Sequence, residues 1–218
     1  MNKIDELLTS LKGHPNNQEG MIQQQLIANG INDKNVIEAF RNIDRKIFVP
    51  NKMQILAYAD QPVPIGFSQT ISQPYMVAYM TQKLNLKPIS NVLEIGTGCG
   101  YHSAILAKLS KQIFSIEVIP ELIEIAKQNL KKADIHNVQI FNANGRDGLE
   151  EYADFTHIIV TAASKDIPNK LIQQLADNGK LLIPVGKNEN RQELLLITKK
   201  GNKISKQSLL PVRFVPLV

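Results

Sequence analysis

The chain of 218 residues contains one cysteine, Cys99. A single thiol cannot build an internal disulfide framework, so the fold must be held by its core. That cysteine usage suits a reducing compartment, and a cytoplasmic protein is expected. Long hydrophobic runs are missing as well. The longest, such as HIIVTAA from His157 to Ala163, have the length of a strand and fall far short of the about 20 residues that a membrane span needs. No charged segment followed by an apolar run and a small-residue cleavage site is present, so neither export nor a membrane partner is expected. The histidines, His14, His102, His136 and His157, are scattered without ligand spacing, and no metal is expected. Internal repeats and low-complexity segments are absent. The most informative absence is local. From Gln61 to Gln82 there is no charged residue and no histidine, although Asp60 and Lys83 flank the segment. It contains PIGFSQTISQPYMVAYMTQ, which is too polar for a bilayer and is broken by Pro62, Pro64, Gly66 and Pro74.

Hydrophobic residues make up 43% of the chain and charged residues 21%, enough for a substantial core in one domain. The net charge is +5. The lysines behind it are spread along the chain, with small groups near Lys131 and Lys199 that read as solvated ends of elements, so no nucleic-acid partner is expected. The first third reads as helical. Ile4, Leu7, Leu8 and Leu11 recur at helical spacing, and Met21, Ile22, Leu26 and Ile27 form a second pattern stopped by Asn29-Gly30. Asp33 is placed to cap KNVIEAFRNI. After the uncharged segment, strands NVLEI, QIFSIEV, NVQIFNA, HIIVTAA and KLLIPVG alternate with helices. The last of these helices, IPNKLIQQL, is expected to stop at Asn178-Gly179, and two terminal strands flank a Gly201-Asn202 turn. This alternation predicts an α/β fold with a mostly parallel sheet and helices on both faces.

The strongest local motif is VLEIGTGCGY. Gly96, Gly98 and Gly100 lie between a strand and a helix, at the carboxyl edge of a parallel sheet where ligands bind. In a dinucleotide fingerprint the third glycine follows the second by three residues, a position held here by Tyr101. Glu94 instead places an acid at the strand end. A carboxylate suits the ammonium and sulfonium of S-adenosylmethionine better than a pyrophosphate. Glu117 ends the next strand, where an acid can accept both hydroxyls of a ribose.

VLEIGTGCGYHSAILA, preceded by FSQTISQPYMVAYM and followed by IIVTAA, IPVG and VRFVPLV, resembles the protein-L-isoaspartate O-methyltransferases. GINDKNVIEAFRNIDRKIFVP and AYADQPVPIG extend the resemblance from about Met21 to Val218. It implies a Rossmann-like methyltransferase domain with about seven strands and an N-terminal helical extension. Residues 1–60 would form the cap, 61–90 the substrate loop and its helix, and 91–218 the cofactor-binding core with the C-terminal strands. It implies methyl transfer from S-adenosylmethionine, leaving S-adenosylhomocysteine, to the free α-carboxylate of L-isoaspartyl residues in damaged proteins and peptides. The ester then closes to a succinimide. It further implies that Ser72 is the active-site serine and that Gln69, Thr70 and Ile71 form the substrate loop, with Val212, Arg213 and Phe214 lining the same cleft. Glu94, Gly96, Thr97, Gly98 and Gly100 would form the methionine-side loop, with Glu117 on the ribose. A monomer is expected.

Three positions depart from the family pattern. An ungapped count places Asn144-Gly145 where the family has an acid and a glycine near the adenine. Asp147-Gly148 offers the same pair shifted. Ser68 stands where glycine is common, and Cys99 where serine is common. Cys99 reads as a small residue that fits, against a redox role that would need a lowered thiol pKa. From the residues alone, Ser72 reads first as the cap of the helix that follows it, and the resemblance adds the site role. The alternatives to isoaspartyl chemistry are methyl transfer to RNA or a small molecule, and a cofactor-binding protein without catalysis. The segment VTAAS lacks the aromatic tetrad of base-nitrogen methyltransferases, which disfavours the first.

Overall fold

The computed structural model describes residues 15–188 and 191–217. The helix expected around Ile4, Leu7, Leu8 and Leu11, together with His14 and Val218, lies outside the described residues. Helix α1 (Gln18–Met21) is capped by the Asn17 side chain, which accepts the Gly20 N–H. It runs on through a π turn, Ile22–Leu26, and a 3-10 turn, Ile27–Asn29. The run ends at Gly30, whose φ of +90° is the left-handed stop that Asn29-Gly30 predicts. Asp33 caps α2 (Lys34–Asn42) by accepting the Asn35 and Val36 N–H groups. Met21, Ile22, Leu26 and Phe40 are completely buried. They share one apolar cluster with Tyr101, Ala104 and Leu130 of the nucleotide-loop half, so the N-terminal helices are packed into the main core.

The uncharged segment folds into a hairpin and a helix. Strands β1 (Val63–Gly66) and β2 (Gln69–Ile71) pair antiparallel, and α3 (Pro74–Leu84) follows directly. The tip between the strands carries three successive residues at positive φ: Gly66 at +95°, Phe67 at +52° and Ser68 at +57°.

The main sheet has seven strands in the order β5-β4-β3-β6-β7-β8-β9. The first five in sequence are β3 (Asn91–Ile95), β4 (Gln112–Glu117), β5 (Val138–Asn142), β6 (Phe155–Val160) and β7 (Leu175–Gly186). They run parallel to one another. The terminal strands β8 (Gln192–Lys200) and β9 (Lys203–Val212) are antiparallel additions. Helices α4 (Tyr101–Ala107), α5 (Pro120–Lys132) and α6 (Asn169–Gln173) occupy the connections. The central strands β3 and β4 are buried along nearly their whole length because both faces of the sheet are covered. Strand order reverses between β3 and β6, so the loops leaving these two strands open a crevice at their carboxyl ends.

One expected boundary moves. Asn178-Gly179 does not stop the preceding helix, which ends at Gln173. The pair lies inside β7, where the register jumps from Phe155 opposite Leu175 to His157 opposite Lys180. The extra residues form a bulge, with Asn178 at φ +59°. At the far edge, β9 is exposed over its first six residues, which include Lys203 and Lys206.

Candidate active site

The glycine loop between β3 and α4 is built with its own donors occupied. Gly96 N and Thr97 N both donate to Ile116 O, at 2.9 and 3.2 Å, and Gly98 N donates to Glu117 Oε2 at 2.8 Å. Gly100 N closes on Thr97 O at 2.9 Å. A phosphate-binding loop needs such N–H groups free for the anion. This loop has none of these four to offer, which agrees with a ligand that lacks phosphate. Gly96, Gly98 and Gly100 have φ of +97°, +55° and +87°, and a Cβ on Gly96 would collide with Thr161 Oγ1. A Cβ on Gly145 would likewise strike Ile95. Gly96, Gly98, Glu117 and Gly145 line one cavity together with Ile119 and Leu217.

Glu117 is 7% exposed. Its Oε1 accepts the N–H groups of Val118 and Ile119 at 2.9 and 3.1 Å. Two carboxylate oxygens have about four acceptor sites, so Oε2 retains capacity for a ligand hydroxyl. Glu94 stands near the end of β3, next to the loop. It is completely buried beneath the loop, outside the cavity wall. Its Oε2 accepts from Ser103 Oγ and, at 2.7 Å, from Ser115 Oγ, which in turn lies 2.6 Å from Thr97 Oγ1. Burial pushes the Glu94 carboxyl up to about 7. The Thr97 side chain is therefore part of this underside network as well. Asn144 is exposed, and its Oδ1 accepts the Arg146 N–H at 2.8 Å. Asp147 faces away from the cavity, where Lys170 Nζ lies 2.9 Å from its Oδ1. Of the two shifted pairs, only the one containing Gly145 reaches the cavity.

Ser72 lies between β2 and α3, and it lines two spaces at once. One is a small recess shared with Gly96, Gly98 and Ile71. The other is an open cleft of about 940 Å³ shared with Gln69, Thr70, Val212, Arg213 and Phe214. Ser72 does not cap α3. The N-cap position is Gln73, and the Tyr75 N–H donates to Asp60 Oδ1 at 2.9 Å. Among the described residues, Arg213 supplies the only charge in the cleft wall. The recess behind it is kept neutral by burial, which drops the His102 imidazole to about 3 and raises the Cys99 thiol to about 11. A raised thiol pKa and 4% exposure give Cys99 the character of a packing residue rather than a redox centre.

The C-terminal segment is clamped over the crevice. Buried Gln192 exchanges two hydrogen bonds with the Phe214 backbone, at 2.6 and 3.1 Å. Ala163 exchanges two more, with Val215 O at 2.7 Å and Leu217 N at 2.8 Å. Thr161, just past β6, lines the cavity, the recess and the cleft alike. Its Oγ1 stands 2.7 Å from Gly96 O and 3.0 Å from Ile95 O. Gln192 and Thr161 are absent from the sequence-derived site. Thr161 had a signal in IIVTAA directly after the fourth strand, whereas Gln192 had none.

These features agree with what the chain is similar to. A Picosynechococcus protein-L-isoaspartate O-methyltransferase is 46% identical over 200 residues, 92% of this chain and 89% of that protein. A Thermosipho melanesiensis protein of the same name is 50% identical over 188 residues, 85% and 94% of the two chains. The crystal structure of a Plasmodium falciparum protein-L-isoaspartate O-methyltransferase in complex with S-adenosyl-L-homocysteine superposes with a TM-score of 0.82 at 31% identity, covering 94% of this chain and 99% of that one. The sequence profile described as protein-L-isoaspartate(D-aspartate) O-methyltransferase matches residues 16–218. With that span of sequence and fold in common, the chain belongs to the protein-L-isoaspartate(D-aspartate) O-methyltransferase family.

Proposed function

We propose that the protein methylates the free α-carboxylate of L-isoaspartyl residues in proteins and peptides, and that Ser72 aims that carboxylate. The observation carrying this reading is the position of Ser72, on the wall of both the open cleft and the recess beside the glycine loop. S-adenosylmethionine supplies a methyl group already activated by a positive sulfur. The cavity fits that ligand on two counts: the N–H groups of Gly96, Thr97, Gly98 and Gly100 are already engaged and cannot cradle a phosphate, and Glu117 presents an acid for ribose hydroxyls. Gly145 would give the adenine side a wall without a side chain; Asn144 beside it is exposed.

The nucleophile is ionised at neutral pH without help, so no residue has to remove a proton. The protein has to orient one oxygen and strip water from it. The Ser72 hydroxyl can donate to one carboxylate oxygen and leave the other to attack. Gln69, Thr70 and Thr161 surround that position with groups that hydrogen-bond without neutralising charge. Arg213 lines the same cleft beside Val212 and Phe214, suited to holding the polypeptide. Glu94 acts from below: its bonds to Ser103 and Ser115 fix the angle at which Thr97 and the loop meet β4. Transfer of a tritiated methyl from S-adenosylmethionine to an isoaspartyl peptide, as a base-labile ester, tests the reading. The matched aspartyl peptide and RNA serve as controls. Labelling of RNA instead of the isoaspartyl peptide would replace it.

A further inference from the structure

Arg45 is completely buried, and a guanidinium keeps its charge even there. The residue opens the 3-10 turn Arg45–Phe48, and its Nε donates to Ala57 O at 2.9 Å. Nη1 and Nη2 have no hydrogen-bond partner, and among the described residues no carboxylate lies within ion-pair distance. Asp60 is the acid whose charge reaches Arg45 from farther off, and its oxygens accept from the Tyr75 N–H and the Gln73 amide. A buried cation held in this way is costly, and an apolar side chain of similar volume commonly serves stability as well or better. Stability therefore does not account for Arg45.

Its position does. The guanidinium carbon stands 4.9 Å from the centre of the Tyr101 ring, which also packs against Phe40 and Phe48. Tyr101 follows Gly100 and, with Cys99 and His102, lines the recess that Ser72 and Gly98 share. Arg45 is thus one residue back from that recess. Its charge is felt in the wall: burial raises the Cys99 thiol, and Arg45 is among the groups that oppose the rise. We infer that Arg45 is a positioning residue: from behind Tyr101, without touching the ligand, its charge favours a carboxylate in the recess. Two carboxylates can take that place, the one on the methionine half of S-adenosylmethionine and the one on the isoaspartyl residue. The second rests on the isoaspartyl reading above. A cation that makes no contact stabilises an anion and occupies none of its lone pairs, so an attacking oxygen stays nucleophilic.

The test compares the wild-type chain with Arg45→Met and Arg45→Gln, both uncharged, and with Arg45→Lys. Calorimetry gives the Kd of S-adenosylhomocysteine and of its analogue lacking the carboxyl group, and initial rates on an isoaspartyl peptide give kcat and KM. Arg45→Met should melt no lower than wild type. It should hold the carboxylate about tenfold more weakly, the effect of a unit charge across roughly 10 Å at an effective dielectric constant of about 20. With the cofactor's carboxylate as occupant, the Kd of S-adenosylhomocysteine rises by that factor and the Kd of the analogue stays. With the substrate's, both Kd values stay and KM rises. Arg45→Lys should retain most of the wild-type value, and high salt should leave the difference intact because the charge is buried. Equal weakening of S-adenosylhomocysteine and its analogue would assign Arg45 to packing and overturn the inference. So would unchanged Kd and KM in Arg45→Met, a loss in Arg45→Lys as large as in Arg45→Met, or failure of both uncharged variants to fold. Absence of peptide methylation by the wild-type protein overturns the isoaspartyl reading and leaves the two Kd values to decide the role of Arg45.

Discussion

Asp60 Oδ1 accepts the backbone N–H of Tyr75 at 2.9 Å, across fifteen residues of chain. The last acid before the uncharged segment thus caps the helix that the segment contains, and Ser72 is released from that duty. The two roles separate by mutation. Ser72→Ala should lower kcat on an isoaspartyl peptide while the calorimetric affinity for S-adenosylhomocysteine and the melting temperature stay close to wild type. Asp60→Ala should instead cost about 1 kcal/mol of stability, a fall of about 2–4 °C in melting temperature for a chain of this size. A Ser72→Ala protein with undiminished kcat would remove Ser72 from the reaction.

Gly96 and Gly30 share nearly the same backbone angle, φ +97° and +90°. Only Gly96 has Thr161 where its Cβ would stand, and Gly30 has open space. Gly96→Ala should therefore weaken S-adenosylhomocysteine binding at least about tenfold, which is about 1.4 kcal/mol. Gly30→Ala should cost about 1–2 kcal/mol of stability and leave binding untouched. Equal affinities in the two variants would show that Thr161 yields easily.

Glu117 holds Gly98 N with one oxygen and Val118 and Ile119 with the other. An amide in its place has one acceptor oxygen and no charge. Glu117→Gln should raise the Kd for S-adenosylhomocysteine by roughly 10- to 100-fold, the loss of about 1.5–3 kcal/mol in charged hydrogen bonding. Isothermal titration measures this, and a change below threefold would mean that Glu117 serves the loop alone.

Glu94 gives stability a pH signature. Its carboxyl sits at about 7 in the fold against 4.5 when exposed, mainly through burial. Between those values the folded protein holds a proton that the unfolded chain has released. Stability from this group therefore falls as pH rises through the window and levels off above about 7. Glu94→Gln does not titrate, so its urea-derived stability should decline less steeply than wild type across this window. Parallel curves would contradict the assignment.

Ser68 occupies left-handed backbone at φ +57° on the hairpin tip. Ser68→Gly should raise stability by about 0.5 kcal/mol, since relief of about 1 kcal/mol in the fold is partly offset by the freer unfolded chain. Ser68→Val should lower it by more than about 1 kcal/mol. Thermal melts of the pair settle the sign.

The parallel core was legible because buried strands and glycine turns leave local marks. NVLEI, QIFSIE and KLLIPVG are short, mostly apolar segments without period-2 alternation, and Gly96, Gly98 and Gly100 follow the first of them. The end of α6 was not legible, because Asn178-Gly179 bears the same local signature in a bulge as at a helix stop. At the site, Ser72, Gln69, Thr70 and the Val212–Phe214 segment came from motif resemblance, and the structure brings them to one cleft. Glu94 was legible as a strand-end acid beside a glycine loop, whereas its burial was not: Ser103 and Ser115 hold one of its oxygens, and the other has no hydrogen-bond partner among the described residues. Gln192 was invisible because its two bonds to Phe214 span 22 residues and have no periodic trace.

The exposed edge of β9 bears on the company this protein keeps. Damaged polypeptides expose backbone N–H and C=O groups that seek partners, and an open edge strand would offer them a template for stacking. The first half of β9 places Lys203 and Lys206 on that margin. A second strand laid along it would bring those ammonium groups against its own side chains, and a stacked copy would align like charges. Lysines at such a margin are one of the means by which edge strands avoid unwanted pairing.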